Sequence, residues 1–401
     1  MRFSVKKGLL AGVFALAIPF VLGGSVQGQE PLVVSGLQAP RGLTATDSRV
    51  LIAEQAAGRI IRVAPNGNIS VIAEGLPATV SETPEGALTA GVTAVIEVNG
   101  TFYFTVGEAP GEAGFDSVYS VTRGGEPELI AELLPYEQEN NVDGGTNETS
   151  QLVNLYDLAW DGADGLYVSA SGANAIFHVS FEGEITSYAV FKARQNPMFP
   201  GRGRAEMEQV PTGLVVGPDG ALYVSTLTGF PFPAGEARVY RMEDKDGDGD
   251  ALEPGETTIY AEGLTSATDL AFDQDGSLLV TEFSTSMLAG APGRLVRVVD
   301  GEIGVVAEPL DSPTGLAVLA NGTALVTMEF LGIVAEPEAA AALVAAGGDE
   351  EAPEEGGQIT PPSTGDAGLL GRSSGGWMML AGVAMLLSSL AAATVVVRRS
   401  A

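Results

Sequence analysis

A repeated phrase is the feature of this sequence that most constrains its fold. The stretch "PTGLVVGPDGALYVS" begins at Pro211 and returns as "PTGLAVLANGTALVT" at Pro313, and looser versions occur elsewhere in the chain. Each unit contains apolar runs separated by turn residues, which is the pattern of antiparallel strands joined by tight turns. A unit of this kind cannot bury its apolar face alone, so several copies must pack against one another.

The chain contains six unit starts, and a typical unit has four strand-like runs. This pattern predicts an all-β, six-bladed β-propeller over residues 31–336. The last unit has too few runs of its own, and "PLVVSGL" near the N-terminus has the pattern of a fourth strand. We therefore expect the N-terminal strand to close the last blade and to remove an open sheet edge. Gly42, Gly213 and Gly315 begin first strands, where we expect the blades to crowd the central axis.

The two ends of the chain carry signals for export and anchoring. Residues 1–28 combine a basic start, an apolar run and small residues, which predicts a signal peptide. Residues 337–365 are acidic and rich in Pro and Gly, which predicts a disordered stalk. Residues 366–401 contain a long uncharged run and then two arginines, which predicts a transmembrane helix with a basic tail.

The stalk ends in "PPSTG", which is similar to a sortase sorting signal. Sortase-mediated wall attachment and a simple membrane anchor both stay open. Either arrangement places the propeller at the extracellular face of the cell membrane or in the cell wall.

Composition narrows the classes of partner. The chain has 51 acidic and 20 basic residues and a formal net charge of −31. A surface this negative repels nucleic acid, so we expect no nucleic-acid partner. The absence of cysteine excludes thiol catalysis and cysteine-ligated metals. The single histidine, His178, lies in a strand pattern, which indicates a structural role.

The propeller sequence resembles a known family. The stretch "VPTGLVVGPDGALYVSTLTGFPFPAGEARVYRM", preceded by "SASGANAIFHV" and followed by "LTSATDLAFDQDGSLLVTEF", resembles the ScyD/ScyE family of scytonemin-cluster proteins. The resemblance covers the whole propeller, and "LTGFPFPAGEARVYR" is its most specific part. It implies an exported six-bladed propeller that is distantly similar to NHL-type repeats, and it supplies no catalytic motif. The stalk, the anchor and the acidic insertion described below depart from the family's pattern.

The long loops are expected on one face of the propeller. In a four-stranded meander, the loop from strand two to three and the connection to the next blade leave the same face. Nearly all long excursions of this chain belong to those two classes, and loops elaborated on a rigid scaffold commonly carry binding sites. Basic and aromatic side chains in two of these loops suit anionic or aromatic ligands: Lys192, Arg194, Arg202, Arg204, Phe199, Phe230 and Phe232. The alternative is that the arginines pair with neighbouring acids and the phenylalanines fill the loops.

The stretch "DKDGDGDALEPGE" offers a possible Ca²⁺ site on the opposite face, between strands three and four. Acids at alternate positions let one loop surround a hard cation, and Gly249 allows a sharp turn. An EF-hand would need an acid at Gly255, so the site must close differently. The predicted ligands of a weak, structural Ca²⁺ are Asp244, Asp246, Asp248, Asp250 and Glu253. A solvated acidic hairpin loop is the alternative.

The sequence leaves catalysis open and favours a non-catalytic role. A metal site in a propeller channel needs carboxylates from several blades, but only Glu54 and Glu282 align at the ends of second strands. Asp157 and Asp269 in first strands could form an acid/base or metal-binding pair, or could accept backbone hydrogen bonds.

We therefore expect a cell-surface binding or scaffolding module for an unidentified extracellular ligand or protein, the ligand being anionic or aromatic. The alternatives are a metal-dependent, lactonase-like hydrolase or lyase that uses the channel carboxylates, and a purely structural envelope protein.

Overall fold

In the computed structural model, the described part of the chain forms six four-stranded antiparallel sheets and two short hairpins. The prediction of an all-β, six-bladed propeller is confirmed. The predicted signal peptide, the greater part of the stalk, its "PPSTG" motif and the predicted transmembrane segment lie outside the described residues. Among the helices of the described ranges, none is both long and apolar enough to cross a membrane. The structure describes residues 31–46, 49–83, 86–107, 109, 112–144 and 152–347.

The first three blades follow one another along the chain, each as a four-stranded meander. The first blade contains β2 (Pro40–Thr46), β3 (Arg49–Glu54), β4 (Arg59–Val63) and β5 (Ile69–Glu74). The second contains β8 (Val92–Val98), β9 (Thr101–Val106), β10 (Ser117–Thr122) and β11 (Glu128–Glu132). The third contains β12 (Leu155–Trp160), β13 (Gly165–Ala170), β14 (Ala175–Ser180) and β15 (Ile185–Val190).

The fourth and fifth blades repeat this order, and the sixth combines both ends of the propeller. The fourth contains β18 (Pro211–Val216), β19 (Leu222–Thr226), β20 (Ala237–Met242) and β21 (Thr257–Leu264). The fifth contains β22 (Ala267–Phe272), β23 (Leu278–Glu282), β24 (Gly293–Val299) and β25 (Glu302–Leu310). The sixth contains β26 (Pro313–Val318), β27 (Ala324–Met328), β28 (Ile333–Ala335) and β1 (Val33–Val34).

Apolar cores lie between neighbouring blades, with one cluster at each of the six contacts in the described part of the chain. At the contact between the first two blades, Leu51 and Ile60 pack with Phe102 and Phe104, and all four side chains are fully buried or nearly so. Val50 and Ile52, which flank Leu51 along its strand, are also buried and pack against the sixth blade, because alternate residues of a strand point to opposite faces of the sheet. Each blade is therefore stabilised by both of its neighbours.

The first strands approach one another closely at the axis, as predicted for their glycines. A Cβ atom at Gly42 would lie 2.5 Å from the carbonyl oxygen of Thr93, and one at Gly315 would lie 2.2 Å from that of Arg41. Only a residue without a side chain fits at these separations. The glycines thus allow adjacent inner strands to pack together.

The N-terminal strand closes the ring, as the sequence predicted. Val33 pairs with Ala335 and Val34 with Val334, so β1 becomes the outer strand of the sixth blade. The N–H group of Leu37 donates to the carbonyl of Gly332 at 3.1 Å just beyond the paired residues. This pairing removes an exposed edge and covers the apolar contact between the sixth and first blades.

The long connections leave the face that the meander topology predicts. Between a fourth strand and the next blade lie a hairpin of β6 (Thr79–Thr83) and β7 (Gly86–Ala90), helix α1 (Leu133–Asn140), and a hairpin of β16 (Arg194–Gln195) and β17 (Glu206–Met207). The loop from Leu227 to Glu236 joins a second to a third strand and leaves the same face. We call this side of the propeller the loop face.

Part of the predicted disordered stalk is in fact a packed helix. Helix α2 (Pro337–Gly347) follows β28, and its Ala340 is fully buried against the fifth and sixth blades. Its alanine-rich sequence has high helix propensity, and Pro337 suits a first helical position. The stalk prediction was therefore wrong for residues 337–347, because the alanines of this segment pack against the propeller.

We predict that Val34→Asp destabilises the protein strongly, while Val33→Asp does not. Val34 is 6% exposed inside the closing contact, whereas its neighbour Val33 is 42% exposed. A carboxylate without a partner at Val34 should lower the free energy of unfolding by about 3 kcal/mol, against less than about 0.5 kcal/mol at Val33. Denaturant unfolding measures both, and equal effects would contradict closure by β1.

Candidate functional site

A cavity of about 540 Å³ opens on the loop face. Its walls come from the β16–β17 excursion and from the loop that joins β19 to β20. The volume lies within the range of small-molecule sites. The side chains that give it apolar and charged character are Arg204, Glu206, Met207, Glu208, Phe230 and Phe232. We call this cavity the loop-face pocket.

Backbone hydrogen bonds hold the two walls of the loop-face pocket together. The N–H groups of Leu227 and Gly229 donate to the carbonyls of Val210 and Glu208, at 3.0 and 2.9 Å. Within the excursion, the buried Asn196 donates from Nδ2 to the carbonyls of Arg202 and Arg204, at 2.8 Å each. The walls are thus tied to each other and to the fourth blade, and the pocket is formed without a ligand.

The structure separates the basic residues that the sequence grouped. Arg194 donates to the Glu236 carboxylate at 3.1 Å, so the ion-pair alternative holds for this arginine. Arg204 lines the pocket, and no carboxylate of the described residues lies within ion-pairing distance of its guanidinium. Lys192 and Arg202 are exposed but do not line the pocket.

The predicted aromatic residues also differ in exposure and in whether they line the pocket. Phe230 is 43% exposed at the pocket, whereas Phe232 is only 6% exposed and packs with Leu227 and Phe283. The two rings of Phe230 and Phe232 meet edge to face, with centroids 5.9 Å apart. Phe199 is exposed and lies outside the pocket lining. Phe230 therefore offers a ring to a ligand, and Phe232 supports it.

Acidic residues in the pocket were missed by the sequence analysis. Glu206 and Glu208 line the pocket beside Arg204. Desolvation and the nearby Asp143 charge raise the pKa of Glu208, while Arg204 and a hydrogen bond with Asn174 oppose that shift. The signal was present in "RAEMEQ", where acids follow the predicted arginines. The pocket thus combines one cation with hydrogen-bond acceptors.

In the central channel, Asp157 and Asp269 serve as acceptors for the backbone. The Asp269 carboxylate accepts the N–H groups of Leu270 at 2.7 Å and Leu316 at 2.6 Å, so it links its own inner strand to that of the next blade. Asp157 makes the matching pair of bonds to Leu158 and Leu214, at 2.8 and 2.9 Å.

Burial of these two aspartates disfavours their charged forms. It raises the pKa of Asp157 to about 6. Burial, together with the charge of Asp157, raises the pKa of Asp269 well above its usual value. The two carboxyl groups therefore interact electrostatically across the channel.

The aspartates lie at the inner end of a cavity of about 510 Å³, which the inner strands of all six blades line. The lining is mostly apolar, includes Trp160 and Phe272, and contains no basic residue. Within the described ranges, clusters of three or more metal-ligating side chains occur only in the loop that begins at Asp244. The channel residues described here do not assemble the ligand set that the enzyme alternative requires.

Glu54 and Glu282 occupy equivalent positions, as the sequence alignment predicted. Glu54 pairs with Pro40 across the β2–β3 ladder, and Glu282 pairs with Ala267 across β22–β23. Each buried carboxylate forms an ion pair with an arginine of the next strand, Arg59 or Arg294. His178 is also paired, because its Nε2 lies 2.8 Å from the Asp161 carboxylate. These titratable groups have structural partners.

The acidic loop folds into a compact arrangement of carboxylates. The Asp244 side chain accepts the N–H groups of Gly247 at 2.6 Å and Gly249 at 2.9 Å, which orients it into the turn. Its carboxylate oxygens lie within 4.8 Å of those of Asp246 and Asp248. Two further groups of the same kind overlap this one: Asp248, Asp250 and Glu253, and Asp246, Glu253 and Glu256. Each of the five predicted ligands belongs to at least one of these groups.

Glu256, which the sequence analysis left out of the metal set, belongs to this loop. It is buried and accepts the N–H group of Lys245 at 2.9 Å, which lowers its pKa. A hydrogen bond to the Glu256 carboxyl raises the pKa of Glu253 to about 7. Neighbouring carboxyl groups of this kind are an oxygen donor set that fits a hard cation.

We predict that Asp269→Asn lowers stability although the side chain keeps its shape. One side-chain oxygen becomes an NH₂ group, which must face the N–H of Leu270 or Leu316. One buried donor then lacks an acceptor, so the free energy of unfolding should fall by about 1–3 kcal/mol. Denaturant unfolding measures the change, with Asp300→Asn at an exposed turn as the control. An unchanged stability would show that the carboxylate does not link the blades.

Comparisons with known proteins support no closer assignment. No family model and no curated protein matches the sequence. Among solved structures, the chain is similar to virginiamycin B lyase from Staphylococcus aureus (16% identity, TM-score 0.44, 77% of this chain and 98% of that chain). It is also similar to a gluconolactonase from Xanthomonas campestris (12%, 0.49, 77% and 90%) and to the calcium-binding protein regucalcin from Agrobacterium tumefaciens (14%, 0.48, 76% and 90%). These identities and TM-scores are too low to transfer a ligand or a reaction, and the ScyD/ScyE resemblance stays a prediction.

Proposed function

We propose that this protein is a cell-surface β-propeller that binds a small ligand in the loop-face pocket. The ligand class that fits best is an aromatic molecule with one anionic group. The observation that carries this proposal is the pairing of an exposed ring, Phe230, with an arginine that lacks an ion-pair partner among the described residues, Arg204, in one pocket.

The chemistry of the pocket limits the ligand to a single negative charge. Arg204 can donate two parallel hydrogen bonds to a carboxylate, and Phe230 presents an edge or face to a second ring. Glu206 and Glu208 accept hydrogen bonds and would repel further anionic groups. An aromatic monocarboxylate that also carries a hydroxyl or amide donor therefore fits better than a polyanion. The net charge of −31 also disfavours the binding of polyanions.

The cell-surface location of this module rests on the sequence. The proposed signal peptide exports the chain, and the proposed C-terminal helix or a sortase-dependent linkage to the wall retains it. A propeller tethered after α2 would present its loop-face pocket to the medium as a rigid, preformed site. A binding or scaffolding role requires only such a site and its attachment to the cell surface.

The enzyme alternative is less well supported. A metal-dependent hydrolase or lyase would use Asp157 and Asp269, and their raised pKa values are compatible with proton transfer. However, all four of their carboxylate oxygens already accept backbone N–H groups. A metal or a substrate would have to compete with bonds that connect the blades.

The binding proposal is tested with 1-naphthoate and its neutral analogue 1-naphthylmethanol as probes in isothermal titration calorimetry. We expect 1-naphthoate to bind more tightly. Arg204→Gln should weaken 1-naphthoate about tenfold, because one charge-assisted pair is lost, and should leave the neutral probe unchanged. Phe230→Ala should weaken both probes.

Arg123→Gln is the matched control for that experiment. Arg123 is exposed, lies in the turn between β10 and β11, and has no ion pair with any described residue. The proposal fails if Arg123→Gln and Arg204→Gln have equal effects, or if 1-naphthoate binds the Arg204 variant as it binds the unmodified protein.

We further propose that the acidic loop binds a structural Ca²⁺ ion. Asp244, Asp246 and Asp248 would hold one side of the ion, and Glu253 and Glu256 the other. The affinity expected of such a loop is that of extracellular modules, about 10⁻⁴ to 10⁻³ M. Because the loop lies opposite the loop face, the ion would stabilise the fourth blade and would not contact the pocket ligand.

The Ca²⁺ proposal predicts a defined pH dependence. The pKa of Glu253 is raised to about 7, so a proton competes with the metal below that pH. Calorimetric titration with CaCl₂ should show an affinity about tenfold higher at pH 8 than at pH 6. Asp246→Asn should weaken binding at both values, while the exposed Asp164→Asn should not. Binding that is absent, or equally strong at both pH values, contradicts the assignment.

A further inference from the structure

Beside the seam between the sixth and first blades, four buried polar side chains each have an atom without a hydrogen-bond partner in the described part of the chain. The Nε atom of Arg41 and the hydroxyl groups of Tyr156, Thr314 and Thr327 are unpaired. Glu329 forms no hydrogen bond or ion pair through its carboxyl group with a described residue. Each of the five side chains is at most 8% exposed. We call the space that they share the seam chamber.

The other blades show what these hydroxyl groups normally do. In the fourth blade, the Thr212 hydroxyl lies 3.0 Å from that of Ser225 and donates to the first carbonyl of the fifth blade at 3.1 Å. Thr268 makes the same two contacts in the fifth blade. Thr314 and Thr327 are the matching residues of the sixth blade, and their hydroxyl groups have neither contact. The sixth blade therefore differs from the fourth and fifth in leaving these two hydroxyl groups without a partner among the described residues.

Arg41 and Tyr156 occupy the same second position of their inner strands as these threonines. The guanidinium carbon of Arg41 lies 4.5 Å from the centre of the Tyr156 ring, which stabilises the charge but leaves Nε–H unpaired. The charges of Arg41 and Glu329 both act on the Tyr156 hydroxyl. Side chains from the first, third and sixth blades thus face one region of the channel.

An unpaired buried donor is costly, by about 1–3 kcal/mol for each group, and folded proteins pair nearly all such groups. One guanidinium N–H and three hydroxyl groups in the seam chamber can all donate. One bound acceptor atom with a negative charge can accept hydrogen bonds from several of these donors. The donor set therefore favours an anion over a cation or a neutral molecule.

We propose that the seam chamber binds one small monovalent anion of the chloride type. Arg41 supplies the charge, and the hydroxyl groups of Tyr156, Thr314 and Thr327 complete its hydrogen bonding. A more highly charged ion is disfavoured, because the carboxyl groups of Glu329, Asp157 and Asp269 act on the same Tyr156 hydroxyl. The proposal is independent of the loop-face pocket, which lies outside the channel seam.

Binding of the anion is coupled to a proton on Glu329. A charged Glu329 would repel the anion, whereas a protonated one would donate to it. Burial raises the pKa of Glu329, and the charge of Arg41 opposes the shift. The other titratable groups that face it are Tyr156, Asp157 and Asp269, all with raised pKa values. The affinity for the anion should therefore increase as the pH falls.

The first test is crystallographic. Crystals of the propeller grown in sodium bromide should show an anomalous peak within hydrogen-bond distance of Arg41 Nε and the Tyr156 hydroxyl. Tyr156→Phe keeps the ring beneath Arg41 and removes only the hydroxyl, so the peak should weaken or vanish. Density for water alone, without an anomalous peak, overturns the proposal.

The second test follows stability in solution. An anion that binds only the folded state raises the melting temperature as its concentration rises. Sodium chloride should therefore stabilise the protein more than sodium gluconate at equal ionic strength. Tyr156→Phe should reduce the apparent chloride affinity about tenfold, while Tyr260→Phe, outside the chamber, should not. Equal effects of the two salts on the unmodified protein contradict the proposal.

Glu329→Gln separates the proton from the anion. The glutamine keeps a donor but cannot titrate, so this variant should bind chloride with an affinity that no longer changes with pH. If this variant keeps the pH dependence of the unmodified protein, the proposed coupling to Glu329 is wrong. Loss of all chloride dependence would show that the carboxyl group is needed for folding of the chamber and not for titration, which also overturns the coupling.

Discussion

The apolar contacts between neighbouring blades are the interaction on which the structure depends. The chain has no cysteine, so no disulfide supports the ring, and each blade buries its faces mainly against the blades on either side. At the seam, this contact is completed by the two residues of β1. A ring closed in this way fixes the six inner strands relative to one another, and every site described above is built on that fixed frame.

Close packing at the axis decides which side chains serve structure and which are free for binding. Glycine at Gly42, Gly213 and Gly315 lets strands touch, and Asp157 and Asp269 at the same position bond to the next strand. The channel is therefore largely committed to holding the blades together. The connections on the loop face do not hold the blades together, so their sequences can vary and their side chains can bind a ligand.

The fold was largely predictable from the sequence, because strands, turns and their order follow from local patterns that repeat. The sites were less predictable, because they depend on contacts between residues far apart in the chain. Arg194 is neutralised by Glu236, 42 residues away, and Phe232 turns inward although Phe230 remains exposed. Helix α2 was missed although it has a local signal, namely its alanine-rich sequence, and the pocket acids of "RAEMEQ" were missed in the same way.

An arginine without an ion-pair partner is unexpected in a protein with 51 acidic and 20 basic residues. With so many carboxylates nearby, an arginine that can reach one should pair with it, and seven do so in the described ranges: Arg59, Arg62, Arg194, Arg238, Arg241, Arg294 and Arg297. Exposure explains why an arginine such as Arg123 needs no partner, since water solvates it. It does not explain Arg41, which is buried with its Nε unpaired, because a desolvated cation is stable only beside compensating charge. The Glu329 carboxyl and Arg41 interact through their charges without a hydrogen bond, and the proposed anion would supply the remaining compensation at the seam.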